Sequence, residues 1–258
     1  MALVPTSEIN KVHQANLGSL YPHVVSYLKD FHPERRRSYT PFLGSVIEFD
    51  DGQHRISFQD ERILPEADSN RTRILLLFSN AHPESIRRGM FHTAESGIAD
   101  LWTDLCSTDL FSGDRGVLSN PDALRVHCLQ KKYSSRFVLG FATYWIFPTF
   151  HPKHLKELFR KAREPNGFEN TEERLNLILN AWNPIAIICF NGEVFEDMTG
   201  ISTQGYTRHI EEGLFQVFMK PRPFHSESSL LIRQLGDMLR MRKVSGEEAF
   251  NESWRGFS

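Results

Sequence analysis

The sequence has little cysteine and no long apolar run. Three cysteines, Cys106, Cys128 and Cys189, are scattered through 258 residues without the Cys-x-x-Cys spacing of a metal or redox motif. This pattern indicates buried free thiols in a reducing compartment. No apolar stretch is long enough to span a membrane, and the first residues lack the charged start and apolar core of a secretory signal. We therefore expect a cytoplasmic protein with no membrane partner.

Motifs of several enzyme classes are also missing. The chain has neither Gly-x-Gly-x-x-Gly nor the glycine-rich loop with Lys-Ser/Thr, which disfavours a nucleotide-binding domain. It has no Gly-x-Ser-x-Gly elbow, and its histidines and cysteines lack the spacing of a zinc site. The net charge is -2, so any nucleic-acid contact must use a local patch because there is no global basic field.

One segment, residues 73–97, carries more polar chemistry than a plain connector needs. Residues 74–78 have the length and apolar content of a buried parallel strand. A polar loop, residues 79–83, follows at the place where open α/β sheets bind their ligands. The loop continues through two arginines, a glycine and an aromatic residue, and we expect it to enter a helix near Glu95.

Strand and helix patterns alternate along the rest of the chain. Residues 1 to about 32 are predicted to be helical, and residues 46–49 and 55–58 to form a hairpin with left-handed residues at Asp51-Gly52. Further strands are predicted at residues 124–129, 185–190 and 214–219, and partly within 137–147. Apolar residues at helical spacing predict helices near residues 98–105, 155–162, 175–182 and 193–198, with a last helix after Ser226.

This alternation predicts an α/β fold in which helices enclose a parallel sheet through right-handed crossovers. The carboxyl ends of parallel strands lie on one edge of a sheet. The polar loops after the first and fourth strands are therefore expected to line one cleft.

Three segments in this order carry a family likeness. Residues 75–97 read LLLFSNAHPESIRRGMFHTAESG, residues 183–198 read NPIAIICFNGEVFEDM, and residues 217–228 read VFMKPRPFHSES. The first resembles the first motif of the uracil-DNA glycosylase superfamily, which ends in glycine, a variable residue and phenylalanine. The second is similar to the third strand, glycine turn and short helix of that family. The third is similar in position and proline content to its second motif, His-Pro-Ser-Pro.

The resemblance covers roughly residues 70–243. It implies an α/β fold with three layers, α-β-α, around a central four-stranded parallel sheet. Residues 71–243 would form this glycosylase-like core, residues 1–70 an N-terminal helical and hairpin extension packed on it, and residues 244–258 a C-terminal tail. We expect one domain and a monomer.

The resemblance also implies a monofunctional DNA glycosylase, which flips a base out of DNA and hydrolyses its N-glycosidic bond to leave an abasic site. That chemistry needs an aromatic face for the base, a group that positions water, and donors aimed at the departing base. DNA is the expected partner and no cofactor or metal is expected. Some relatives hold an iron–sulfur cluster with four cysteines, and three scattered cysteines argue against one here.

The first motif supplies candidates for the water and the base. Phe91 matches the family's base-stacking phenylalanine, and the alternative is a core aromatic residue. Asn80 is the first choice for positioning water, although it could also be a turn-forming residue. His82, Glu84 or Glu95 could take that role instead, and Glu95 could equally be a charge in a first helical turn. Ala81, in the same loop, is expected to line the base pocket.

The second motif supplies candidates for stabilising the departing base. Lys220 stands where the family has its histidine, and a small gap would make His225 the equivalent residue instead. Either cation, or Arg222, could stabilise the departing base. Asn191 could hydrogen-bond the flipped base, or close a strand-end turn with Gly192. Residues expected to contact DNA phosphates are local cations and one hydroxyl: Arg87, Arg88, Lys131, Lys132, Arg222 and Ser226.

Both motifs depart from the family pattern at the base pocket. The usual Gly-x-x-Pro opening is absent, and the loop from Pro83 to Phe91 is shorter than in the family. A reshaped pocket suggests a larger or modified base, such as a modified cytosine of phage DNA, and hence a role in antiviral defence. The alternatives are a uracil-DNA glycosylase of base-excision repair and a noncatalytic DNA-binding member of the fold.

Overall fold

The computed structural model describes most of the chain up to Met219. The described residues are 11–30, 38–66, 71–94, 97–98, 100–106, 110–135, 137–159, 171–200, 209–212 and 215–219. The predicted helix after Ser226 lies outside them. Within the described part of the chain, no helix is long and apolar enough to cross a membrane.

The elements alternate between strands and helices. The strands are β1 Val12–Asn16, β2 Ile47–Asp50, β3 Arg55–Gln59, β4 Arg62–Ile63, β5 Thr72–Asn80, β6 Thr93–Ala94, β7 Gly97–Ile98, β8 Phe137–Trp145, β9 Ala186–Cys189, β10 His209–Glu212 and β11 Phe215–Met219. The helices are α1 Tyr21–Lys29, α2 Pro83–Arg88, α3 Asp100–Cys106, α4 Arg115–Leu118, α5 Pro121–Leu129, α6 Pro152–Phe159, α7 Thr171–Trp182 and α8 Gly192–Thr199. This composition confirms a mixed α/β fold.

Among the described residues, the main sheet has six strands in the order β10-β11-β9-β5-β8-β4. The four central strands, β11, β9, β5 and β8, pair in parallel, whereas β10 and β4 join the two edges antiparallel. The sheet is therefore mixed, with a parallel centre. A second, antiparallel sheet is formed by β1, β3 and β2.

Strand β5 confirms the prediction that residues 74–78 form a buried strand. Its alternate side chains enter two different hydrophobic clusters. Leu75 and Leu77 share one cluster with apolar residues of α1, α6, α7 and α8. Ile74, Leu76 and Phe78 share the other with residues of α3 and α5. Since both faces of the strand are covered, a continuous apolar run is what this position requires.

Residues 124–129 form the end of helix α5, so the strand predicted there is wrong. The segment alternates apolar and polar residues, which mimics a strand pattern. Its start is set by Asn120, whose side chain accepts hydrogen bonds from the backbone N–H groups of Asp122 and Ala123, with Pro121 in the first turn. Leu124 and Cys128 are four residues apart and both buried. The second parallel strand is β8 instead.

Three other predictions need correction. The N-terminal helix predicted through residue 32 is shorter: among the described residues, β1 precedes α1, and β1 pairs with β3. The hairpin of β2 and β3 is confirmed, but its left-handed residue is His54, with φ 50°, and not Gly52. Helix α2 begins at Pro83, directly after the polar loop, and the next helix, α3, begins at Asp100.

Several other local predictions are confirmed within the described residues. Helices α3, α6, α7 and α8 lie where apolar spacing predicted them, and β9 and β11 lie within the predicted strands. Helix α8 ends at Gly200, whose φ of 67° lies in the left-handed region that glycine adopts without strain.

Candidate active site at the carboxyl edge of the sheet

The carboxyl ends of β5, β8 and β9 lie side by side. Asn80, the last residue of β5, is in register with Trp145, the last residue of β8, and β9 ends at Cys189 on the other side of β5. Three loops therefore leave the sheet at one edge: residues 81–82, 146–151 and 190–191. We call this region the carboxyl edge.

Asn80 ties the first two of these loops together. Its Nδ2 donates to the Thr149 carbonyl oxygen at 2.5 Å, to Thr149 Oγ1 at 3.0 Å and to the Ala81 carbonyl oxygen at 3.0 Å. Its Oδ1 accepts from Ser79 Oγ at 3.1 Å. The backbone of Ala81 is paired at both polar atoms, with Trp145 and Thr149. The Asn80 amide is therefore fixed in orientation.

The loop of residues 146–151 was not predicted to belong to the site. It contributes Thr149, which is fully buried, and His151, which is exposed. The sequence does contain a pattern that indicates this loop, because a proline and polar residues follow directly after the apolar run 137–147. It was missed because residues 124–129 had been assigned as the second strand.

His82 is the N-cap residue of α2. Its backbone N–H donates to Oε2 of Glu61 at 2.9 Å, and its ring meets Phe150 edge-on at 5.5 Å between centroids. Pro83 in the first turn suits a helix start that lies directly after a strand. Asn80 and His82, two of the predicted water-positioning residues, thus lie two residues apart where β5 passes into α2, which we call the strand-to-helix turn.

Glu61 is a site residue that the sequence analysis missed. It lies between β3 and β4 and is buried, with an exposed fraction of 4%. Burial, together with the charge of Asp60, raises the pKa of its carboxyl group to about 8. Hydrogen bonds from the His82 backbone and the Ser85 hydroxyl act in the opposite direction. At neutral pH this carboxyl group is therefore mainly protonated.

Phe91 and Ala81 lie in the interior. Phe91 has an exposed fraction of 1%, and its ring packs 5.3 Å from Phe78 and 5.8 Å from Phe141. Its carbonyl oxygen accepts a hydrogen bond from Trp102 Nε1. Phe91 thus occupies the core position that was its alternative interpretation. Ala81 is fully buried, and its contribution to the edge is the backbone pairing described above.

Other aromatic rings reach the carboxyl edge. Phe78 stacks on Phe190 with centroids 4.6 Å apart and an angle of 28° between planes, and it lies 4.8 Å from the His92 ring. Phe190 is half-buried and His92 is exposed, with a left-handed φ of 51°. We call Phe78, Phe190 and His92 the edge aromatic cluster. It offers an accessible aromatic surface beside Asn191.

Asn191 is the N-cap residue of α8, a role that neither of its two interpretations from the sequence included. Its Oδ1 accepts from the backbone N–H groups of Glu193 at 2.9 Å and Val194 at 3.3 Å, which caps α8. The cap fixes the side chain with its oxygen turned to the helix. Its Nδ2 is then the atom able to donate a hydrogen bond to a ligand.

Arg87 and Arg88 lie in the last turn of α2. The Arg87 guanidinium stands 4.9 Å from the Phe42 ring centre, which holds its stem against the N-terminal region while the residue stays exposed. Arg88 is half-buried. Gly89 ends the helix in the left-handed conformation, with φ 68°. These two arginines lie one short helix away from His82.

Lys131 and Lys132 lie at the opposite end of the sheet. They come just before β8, next to Arg71, which donates to the carbonyl oxygens of Lys131 and Tyr133. Lys131 Nζ itself donates to the Glu66 carbonyl oxygen. The length of β5 separates these lysines from Asn80 by about 26 Å, at a rise of about 3.3 Å per residue. The structure therefore does not place them around the cleft.

Five predicted site residues lie outside the described residues: Glu95, Lys220, Arg222, His225 and Ser226. In the described part of the chain, no group of three or more histidine, cysteine or acidic side chains could hold a metal ion. The three cysteines are free, and Cys128 and Cys189 are buried. No protein-family model and no curated protein matches the chain.

Proposed function

We propose that the protein is a monofunctional DNA glycosylase with a three-layer, glycosylase-like core. It flips a base out of DNA and hydrolyses the N-glycosidic bond, and its substrate is a modified base such as a modified cytosine of phage DNA. The observation that carries the proposal is the carboxyl edge itself. There a fixed amide, a histidine, an aromatic cluster and an asparagine amide lie at or next to the ends of neighbouring parallel strands, where α/β sheets bind ligands.

In this proposal, Asn80 and His82 position the attacking water. Because Nδ2 of Asn80 is committed to Thr149 and Ala81, its Oδ1 faces away from those partners. That oxygen accepts one hydrogen bond from Ser79 and has a second lone pair for water. Fixing a polar oxygen in this way removes the entropy cost of orienting it during the reaction.

The edge aromatic cluster and Asn191 bind the flipped base. Phe190 offers the half-buried ring face that stacking needs, with Phe91 supporting Phe78 from the core. The Asn191 Nδ2 donates to an acceptor on the base. Lys220, His225 and Arg222 remain the candidates to stabilise the departing base, and Arg87, Arg88 and Ser226 remain the candidates to contact phosphate.

We expect Asn80→Ala to reduce base excision by about 100-fold, because the fixed oxygen that orients water is lost. DNA binding should stay near that of the wild type and should still weaken steeply with salt. The measurement counts abasic sites in two DNAs, one with uracil and one from phage with modified cytosines. The matched control is Asn180→Ala, the same change at an exposed residue of α7, and it should excise normally.

The outcomes separate the candidate functions. Abasic sites in the modified DNA alone support a defence glycosylase, whereas abasic sites in uracil DNA support the repair enzyme. Salt-sensitive binding without abasic sites in either DNA would favour a noncatalytic DNA-binding protein. Equal excision by Asn80→Ala and Asn180→Ala would show that Asn80 does not position the attacking water.

A further inference from the structure

Glu61 is a buried carboxyl group in contact with the turn that carries Asn80 and His82. Its Oε2 accepts the His82 backbone N–H at 2.9 Å. Its other oxygen, Oε1, is buried and has no hydrogen-bond partner among the residues that the structure describes. One oxygen of the carboxyl group therefore holds the turn, while the Ser85 hydroxyl acts on the group more weakly.

Capping the His82 N–H does not require a carboxyl group. A hydroxyl or amide oxygen could accept the same hydrogen bond without placing an ionisable group in the interior. Burying an ionisable group lowers the stability of the folded state, so we expect the group to serve some purpose there. A buried carboxyl group that directly contacts the backbone of a candidate site residue therefore points to a functional reason.

The charged groups around Glu61 favour its neutral form. The adjacent residue, Asp60, carries a negative charge that disfavours ionisation of Glu61. The cations His13 and Arg62 lie beside Asp60. His13 Nε2 lies 3.0 Å and Arg62 Nε 3.9 Å from Asp60 Oδ2. With Oε2 accepting from His82, a proton on Glu61 resides on Oε1. Ionisation would place a charge in a buried position, where the hydrogen bonds from the His82 N–H and the Ser85 hydroxyl offset only part of the cost of burial.

We propose that Glu61 is a positioning residue of the site, which in its neutral form holds Asn80 and His82 in the reactive geometry through the His82 amide. When Glu61 ionises, its buried charge draws in water and loosens the turn. Small displacements of positioning groups reduce turnover strongly. This inference rests on the proposed function, because it concerns the turnover of the same site.

The test compares base excision by Glu61→Gln, Glu61→Ala and wild-type protein across pH. Glutamine keeps an oxygen for the His82 N–H and is neutral, so kcat at pH 7 should stay within about twofold. Alanine should lower kcat by about 10- to 100-fold with little change in KM, because the turn is loosened while the base pocket remains. The same change at an exposed residue of β2, Glu48→Gln, is the control.

The pH profile separates positioning from a purely structural role. Wild-type activity should fall as pH rises through about 8, where Glu61 loses its proton, and Glu61→Gln should lack this fall. A Glu61→Gln profile that keeps the fall would overturn the inference. So would a Glu61→Gln variant as inactive as Glu61→Ala, or a folded Glu61→Ala variant with normal kcat. If the wild-type protein excises no base, the proposed function fails. If the wild-type protein excises a base but a Glu61 variant gives one of the contradicting results above, only the role of Glu61 is overturned.

Discussion

Glu61→Gln is expected to stabilise the protein in alkaline solution and to leave its stability nearly unchanged in acid. The folded pKa of Glu61 is raised from 4.5 to about 8 by burial. Between these values the folded state binds a proton that the unfolded state has lost, so stability falls as pH rises from about 4.5 to about 8. Above that range the wild type carries the full cost of the buried charge, and the glutamine variant does not.

The expected gain is roughly 3 kcal/mol at about pH 9, which is less than the full effect of the pKa difference because the glutamine NH₂ also needs partners. For a chain of this length it corresponds to a rise in Tm of roughly 8 °C. Thermal unfolding of Glu61→Gln, Glu48→Gln and wild-type protein at about pH 5, 7 and 9 measures it. Parallel Tm curves for Glu61→Gln and the wild type across that range would show that Glu61 is not a buried neutral acid.

Gly140→Ala is expected to destabilise the protein by roughly 3 kcal/mol through overpacking in the central sheet. Gly140 lies in β8, paired with Leu75 of β5. A Cβ there would lie 2.6, 2.8 and 3.0 Å from three ring carbons of Trp182. The indole has little freedom to move, because it is buried and its Nε1 donates to the Pro65 carbonyl oxygen at 2.8 Å.

Chemical unfolding of Gly140→Ala and Gly52→Ala makes a matched comparison. At Gly52 the nearest atom to an added Cβ is an Asp50 side-chain oxygen at 3.6 Å, so this variant should remain within about 0.5 kcal/mol of the wild type. Adding Trp182→Phe to Gly140→Ala should recover part of the lost stability, since the smaller ring makes room. Equal stability of Gly140→Ala and the wild type would contradict the packing described for α7 on the sheet.

Elements with strong local signals could be predicted from the sequence. The run 74–78 is apolar at every position, and the face of α7 repeats at helical spacing, so both were identified with the correct type. Residues 124–129 were assigned to a strand because their apolar and polar residues alternate over a short stretch. The N-cap residue Asn120 and the following Pro121 start a helix there. These two residues precede residues 124–129, so the alternation within that stretch does not reveal them.

The candidate site could be predicted only in part. Asn80, His82 and Asn191 follow apolar runs, and the structure places all three at the carboxyl edge. Glu61 could not be found this way, because residues 59–62 are four polar residues in a row that resemble an exposed connector. Its burial depends on packing between segments far apart in sequence. Phe190 was likewise assigned only to strand packing, since its contact with Phe78 links two strands.

The most direct test of the central claim is base release in isotopically labelled water under single-turnover conditions, with phage DNA that carries modified cytosines. A monofunctional glycosylase should release one free base for each abasic site formed, with one label from water in the sugar of each abasic site. We expect this result for the wild-type protein and a rate about 100-fold lower for Asn80→Ala. Intact DNA and no free base from either the modified or the uracil-containing DNA, despite binding, would contradict the assignment as a glycosylase.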